Sequence, residues 1–226
     1  MQKINHWHQF ETASDVTEAV CSQIISSAES AIAERGCFKL VLAGGSTPEK
    51  IYQLLACAQT DWSKWFIFYG DERCLAADDM DRNSTMAANA LLNKVNIPSS
   101  HIFSMPTERG VVAAAEQYRQ TIANIDQFDL VLLGMGEDGH TASLFPGQIH
   151  DRNETVHEIY HSPKPPSERI SLSAKTLANT RQLFFIITGA AKLTPVKQWK
   201  QGDKLPVATI LPDTGVDIYI DHSAIA

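Results

Sequence analysis

Asp138 and His140 stand two residues apart in the stretch DLVLLGMGEDGHTASLFPG, residues 129–147, with Thr141 and Ser143 close behind. An imidazole titrates near neutrality, so it can take a proton and give it back at physiological pH. A carboxylate beside it can fix its orientation or raise its basicity. A second group is Gly44, Gly45, Ser46 and Thr47, ahead of Pro48 and of Ile51, Leu54 and Leu55 at helical spacing. Paired glycines let backbone N–H groups approach a ligand, and a helix start favours anions, so this composition suits a phosphate. Thr47 is predicted as the N-cap, with Pro48 at the first helical position. Asp71, Glu72 and Arg73 form a third group, and Arg169 and Lys192 add two cations further along.

These residues share a place in the chain: each follows or opens a predicted strand. Residues 130–133 are apolar, too few for a helix and typical of a buried strand, and the run breaks at Gly134, Gly136 and Gly139. Residues 38–43, 65–69 and 184–188 read the same way and end at Gly44, Gly70 and Gly189. Lys192 then opens a helix. A strand over 169–172 has Arg169 at its entrance, fed by the Pro-rich loop 162–166. Further strands are predicted at 101–103, 207–210 and 216–220, and the chain just after Gly147 reads as irregular. Helices are predicted at 12–35, stopping at Gly36, at 83–92, and at 109–124 with Val112, Ala115, Tyr118 and Ile122 on one face. The alternation predicts an α/β fold: a Rossmann-like, doubly wound, mostly parallel sheet with helices on both faces, one domain over 1–226. In such sheets the loops beyond the carboxyl ends gather at one edge. That edge would bring a phosphate cradle, up to three cations and a histidine together.

Composition narrows the classes. The chain has 226 residues, 44% of them hydrophobic, enough for a full core, and no apolar run of membrane length. A net charge of −7 argues against nucleic acid as a partner and requires any anionic substrate to be held by local cations. The opening MQKINHWHQF lacks a basic then apolar leader, so the cytoplasm is the expected location. Cys21, Cys37, Cys57 and Cys74 form no C-x-x-C pair and read as reduced structural thiols. His6 and His8 share a face of an extended segment and read as a surface strand. The sequence leaves the oligomeric state open, monomer or small homo-oligomer.

Two other chemistries fit the central stretch less well. Gly134, Gly136 and Gly139 match G-x-G-x-x-G, but no strand ending in an acid follows about 20 residues on, as dinucleotide binding requires. Asp138 and His140 could begin a metal site, but no third ligand has consistent spacing, so no metal and no cofactor is expected.

With those residues in hand, the chain resembles the 6-phosphogluconolactonase family, within the larger group that also holds glucosamine-6-phosphate deaminase. The matching segments are LAGGSTPEKIY at 42–52, DWSKWFIFYGDER at 61–73, LLGMGEDGHTASLFPG at 132–147, PPSERISLS at 165–173, ITGAAK at 187–192 and IDHSA at 220–224. They span nearly the whole chain in the family's order. Leu75 and Ala76 stand where Val-Pro is common, and Tyr219 where Trp is. The resemblance implies hydrolysis of a phosphorylated sugar lactone, with His140 as general base, Asp138 orienting it and Arg73 facing the oxyanion. It implies phosphate and substrate contacts at Gly44, Gly45, Ser46, Thr47, Arg169 and Lys192, with Asp71 orienting Arg73 or a substrate hydroxyl. The deaminase's Phe-Asn-Glu-Pro run is here Ser143, Leu144, Phe145 and Pro146, so the carboxylate that assists ring opening is missing. Two rivals stay open: a deaminase or isomerase, and a sugar-phosphate sensor without chemistry.

Overall fold

A computed structural model describes residues 5–151 and 153–225. Among the described residues nine strands, β1 (Asn5–Phe10), β2 (Phe38–Leu42), β3 (Trp65–Tyr69), β4 (Asp71–Arg73), β5 (Phe128–Gly134), β6 (Val156–Ile159), β7 (Arg169–Leu172), β8 (Thr180–Ile187) and β9 (Val216–Asp221), form two sheets. The helices are α1 (Ala13–Arg35), α2 (Ser46–Leu55), α3 (Asn83–Ala87), α4 (Val111–Ile122), α5 (Ala174–Ala178), α6 (Leu193–Gln201) and α7 (His222–Ile225). The six-stranded sheet runs β1-β9-β8-β5-β2-β3 with every neighbour parallel. A three-stranded antiparallel sheet runs β4-β7-β6.

The strand order explains where a ligand can sit. Connections through α1 and α2 step toward β3, and the later ones step back toward β1. With right-handed crossovers, helices of the two sets cover opposite faces. The direction reverses between β2 and β5, and there the pairing is short: only Leu40↔Leu130 and Val41↔Val131. Beyond those pairs the strands part, and the crevice opens at the switch point. Gly70 ties the small sheet to this edge. Its N–H donates to the Leu42 carbonyl at 3.0 Å, and its own carbonyl accepts from Leu172 at 2.8 Å.

Two buried phenols close the strand ends that border the crevice. The Tyr52 hydroxyl donates to the Ala43 carbonyl at 2.8 Å and accepts from the Ala43 N–H at 2.9 Å. Tyr118 does the same for Tyr69 at 3.3 and 2.9 Å. Backbone groups that leave a sheet inside a protein need such partners. Tyr52→Phe is therefore expected to destabilise by about 1–3 kcal/mol, because it strands a buried donor and acceptor together. The expected readout is a lower denaturant midpoint at an unchanged m-value.

Several sequence expectations are corrected. Residues 207–210 are not a strand; Pro206–Thr209 form a 3₁₀ turn. Pro206 opens the turn without an N–H to give a ladder; Val207 and Ile210 are buried all the same, and Leu205 just before them packs against Gly139. Residues 101–103 contribute one bridge, Ile67↔Ile102, after a 3₁₀ turn at Ser99–His101. The helix at 83–92 is α over its first half and π over Ala88–Leu92. In α4 the buried valine is Val111, while Val112 is 61% exposed. Residues 71–73 pair as β4, and β6 lies in the stretch read as irregular. That strand escapes periodicity because Val156 and Ile159 do not alternate. His6 and His8 do lie on an edge strand, and His8 reaches Asp217 at 2.8 Å. Cys57 is exposed, and the other three thiols are half-buried and free. Among the described residues no helix is long and apolar enough to cross a membrane.

Candidate active site

The parted ends of β2 and β5 frame a cleft of about 280 Å³. Leu42 to Gly45 line one side and Leu133 to Gly136 the other, with Gly70, Asp71, Arg73 and Asn83 from the small-sheet side. His140, Lys164, Arg169 and Lys192 complete the wall. The predicted base, the glycine turn and the cations thus meet in one concavity.

His140 is held by its own turn. Its Nδ1 lies 2.5 Å from Asp138 Oδ1, and its backbone N–H donates to the same oxygen at 3.1 Å. Burial alone would push the Asp138 carboxyl up, but the ring and backbone hydrogen bonds from His140 together hold it below the ordinary carboxylate range. An ionised Asp138 only accepts, so Nδ1 carries the proton and Nε2 presents its lone pair. Burial is the main reason the His140 pKa sits below the ordinary imidazole value. Lys164 pushes the same way, while Asp138 and Asp71 oppose it. The Phe145 ring packs beside the imidazole, centroids 4.7 Å apart. Gly136 makes room for the pair: a Cβ there would fall 2.0 Å from His140 Nδ1 and 2.7 Å from Asp138 Oδ1.

The glycine turn predicted to cradle a phosphate differs in detail from its expected form. The helix starts two residues earlier than predicted, at Ser46, and the cap is Gly45, which has no side chain to accept from the first amides. Thr47 is not the cap; its hydroxyl meets that of Thr188 at 2.6 Å. Pro48 is the third helical residue. Gly44 and Gly45 face the cleft, whereas the side chains of Ser46 and Thr47 stand beside it. An uncapped helix start with open N–H groups is an anion site by its own dipole.

Asp71 and Glu72 hold the frame. Asp71 Oδ2 accepts from the Ser143 hydroxyl at 2.5 Å and Oδ1 from Asn83 Nδ2 at 3.1 Å, so among the described residues its carboxylate is held by these two and not by Arg73. Fully buried Glu72 accepts the first amides of α3, from Asn83 at 2.7 Å and Ser84 at 2.8 Å. Arg73 Nη1 donates to the Asp81 carbonyl, and its buried Nε has no partner among the described residues. Arg73 and Arg169 sit directly opposite in the β4–β7 ladder. Like charges at that spacing repel unless an anion lies near both. Burial lowers the pKa of Arg169 and of Lys192.

Two cleft residues escaped the sequence reading. Asn83 reads as an ordinary helix start, and only the fold lays its amide over Gly44, where a Cβ would fall 2.0 Å from Asn83 Oδ1. Lys164 lies in a loop read for its prolines. The dinucleotide reading also finds no support in the geometry: after Gly139 the chain makes turns, not a helix.

A family profile described as glucosamine-6-phosphate isomerases/6-phosphogluconolactonase matches residues 11–219. A 6-phosphogluconolactonase of Nostoc is 37% identical over 188 residues, 77% of this chain and 76% of the relative. One of Mycobacterium leprae is 34% identical, covering 83% of this chain and 82% of its own. The crystal structure of 6-phosphogluconolactonase from Thermotoga maritima superposes with a TM-score of 0.91 at 26% identity, over 96% of this chain and all (100%) of that one. The enzyme from Trypanosoma brucei gives 0.88 at 28%, over 99% and 98%. This chain belongs to the glucosamine-6-phosphate isomerase/6-phosphogluconolactonase family. A monomeric glucosamine-6-phosphate deaminase reaches a TM-score of 0.82 at 18% identity, over 97% and 98%, so fold alone does not separate the two activities. The residues of the cleft must do that.

Proposed function

We propose that the chain hydrolyses 6-phospho-D-glucono-1,5-lactone to 6-phospho-D-gluconate, the second step of the oxidative pentose phosphate pathway. The observation that carries this reading is the common cleft of the His140–Asp138 pair, the open start of α2 and four cationic side chains. In a δ-lactone the carbonyl carbon and the carbon bearing the phosphate arm both flank the ring oxygen. A base, an oxyanion partner and a phosphate cradle must therefore lie close together.

His140 Nε2 takes a proton from a water as that water's oxygen bonds to the lactone carbon. The carbonyl oxygen gains the charge, faced by the guanidinium of Arg73 on the cleft wall. The ring C–O bond then breaks, and the imidazolium returns its proton to the departing oxygen. Asp138 keeps the ring in the required tautomer throughout. One positioned acid–base group supplies on the order of 10²–10⁴-fold. A deaminase would need a proton-moving group near Phe145, and a phenyl ring cannot serve.

The test is lactone hydrolysis followed with substrate made in place by a glucose-6-phosphate dehydrogenase, corrected for spontaneous opening. Turnover of glucosamine 6-phosphate with ammonia release, and none of the lactone, would overturn the reading. The mechanism uses no metal, so a chelator should leave the rate unchanged. Because the base must be neutral, kcat/KM should rise with pH through the His140 pKa. Burial places that value below the usual imidazole range, so the acid limb should have its midpoint below about 6.5. A midpoint above that value would contradict the assignment.

A further inference from the structure

Sequence resemblance gives the phosphate to Arg169, but the hydrogen bonds of Arg169 are already committed. The residue is 5% exposed. Its Nε donates to the Pro166 carbonyl at 3.2 Å, and its Nη2 to the carbonyls of Pro165 at 2.7 Å and Lys164 at 3.2 Å. The guanidinium carbon stands 5.8 Å from the Phe145 ring centroid. A guanidinium grips a phosphate best through two nitrogens in a fork. Here two of the three nitrogens hold consecutive backbone carbonyls, so neither edge of the fork that uses them is open.

Those three carbonyls belong to the loop that carries Lys164. The loop is also fastened on its other side: the Ser162 hydroxyl donates to the Lys164 carbonyl at 2.7 Å and accepts from the Lys164 N–H at 3.2 Å. Pro163, Pro165 and Pro166 restrict the remaining backbone freedom. The backbone of Lys164 is thus fixed from both sides, and its side chain lies on the cleft wall with His140 and Lys192. No carboxylate pairs with the Lys164 ammonium among the described residues. Lys164 and Lys192 are near enough to repel each other. A dianion between two such ammonium groups relieves that repulsion.

We propose, building on the lactonase reading, that Lys164 makes the direct charge contact with the substrate phosphate, and that Arg169 is a positioning residue that folds the loop presenting it. The two then act in series. Breaking either should cost the same contact, and breaking both should cost it once.

The experiment compares wild type with Lys164→Met, Lys164→Arg, Arg169→Lys and the double variant Lys164→Met/Arg169→Lys. It measures lactone kinetics, and calorimetric affinity for 6-phosphogluconate against gluconate, which lacks the phosphate. Lys164→Met should raise KM and weaken 6-phosphogluconate binding on the order of 10- to 100-fold, as expected for a lost charge-assisted contact, with kcat within about threefold. Lys164→Arg should recover most of the loss. Arg169→Lys puts a single nitrogen where two now span the three carbonyls and should raise KM by a similar factor, with the double variant no worse than the poorer single one. A Lys164→Met protein with wild-type KM and affinity overturns the proposal, as does a double variant whose loss equals the product of the two. Should Arg169→Lys fail to fold, the Met and Arg variants at 164 decide alone. Wild type that binds 6-phosphogluconate without hydrolysing the lactone would sink the lactonase reading and leave the binding comparison to judge Lys164. Wild type that binds no sugar phosphate would sink both.

Discussion

His140→Ala is expected to lower kcat for the lactone by roughly 10²–10⁴-fold, while the affinity for 6-phosphogluconate stays within a few-fold of wild type. The separation follows from the fold. The imidazole hangs on the turn after β5, hydrogen-bonded to Asp138 at 2.5 Å and packed beside Phe145, whereas the start of α2, the proposed phosphate anchor, is set by β2 and the Tyr52 hydroxyl. Removing the ring does not touch that second anchor. Loss of the base should also erase the acid limb of the pH profile, because no other group has been assigned to take the proton. A variant that retains a wild-type kcat would show that water is activated elsewhere in the cleft.

Gly136→Ala should be nearly as damaging, on the order of 10²-fold in kcat, although it adds one methyl group and removes no functional atom. The new Cβ would fall 2.0 Å from His140 Nδ1 and 2.1 Å from its Cε1, far inside contact distance. The atoms it meets are the ends of side chains, so the imidazole and the carboxylate can swing aside. Their 2.5 Å bond cannot survive that movement. The fold should therefore hold while the chemistry fails: an unchanged thermal midpoint beside a collapsed rate. A collapsed midpoint, or an active variant, would each contradict this account of the glycine.

The central strands were legible because parallel strands buried on both faces read as unbroken apolar runs, and glycines end them. Residues 130–133 are such a run and 38–42 one interrupted only at Lys39, and the chemistry follows each directly. Asp138 and His140 could be found together because one turn holds both. Asn83 and Lys164 could not. Asn83 reaches Gly44 only because Glu72 seats the first amides of α3, and Lys164 reaches the cleft only because Arg169, across the β4–β7 ladder from Arg73, gathers the Pro-rich loop. Both depend on pairings about 10 to 100 residues apart, which local spacing does not encode. The Thr47 cap failed for a different reason. Ser and Thr are ordinary caps, and nothing local says that here the hydroxyl turns to Thr188 and leaves the amides bare.

The two helices that start nearest the amino terminus show what that bareness means. In α1, Thr12 and Asp15 fill the first turn reciprocally, and the helix is complete within its own chain. In α2, Gly45 supplies nothing, so the protein keeps one helix unfinished at the mouth of its cleft. A phosphate seated there would become, in hydrogen-bonding terms, the missing residue of that helix. Occupancy and local order would then be one quantity measured in two ways. A sugar lacking its phosphate would fit the walls yet leave the helix as incomplete as before.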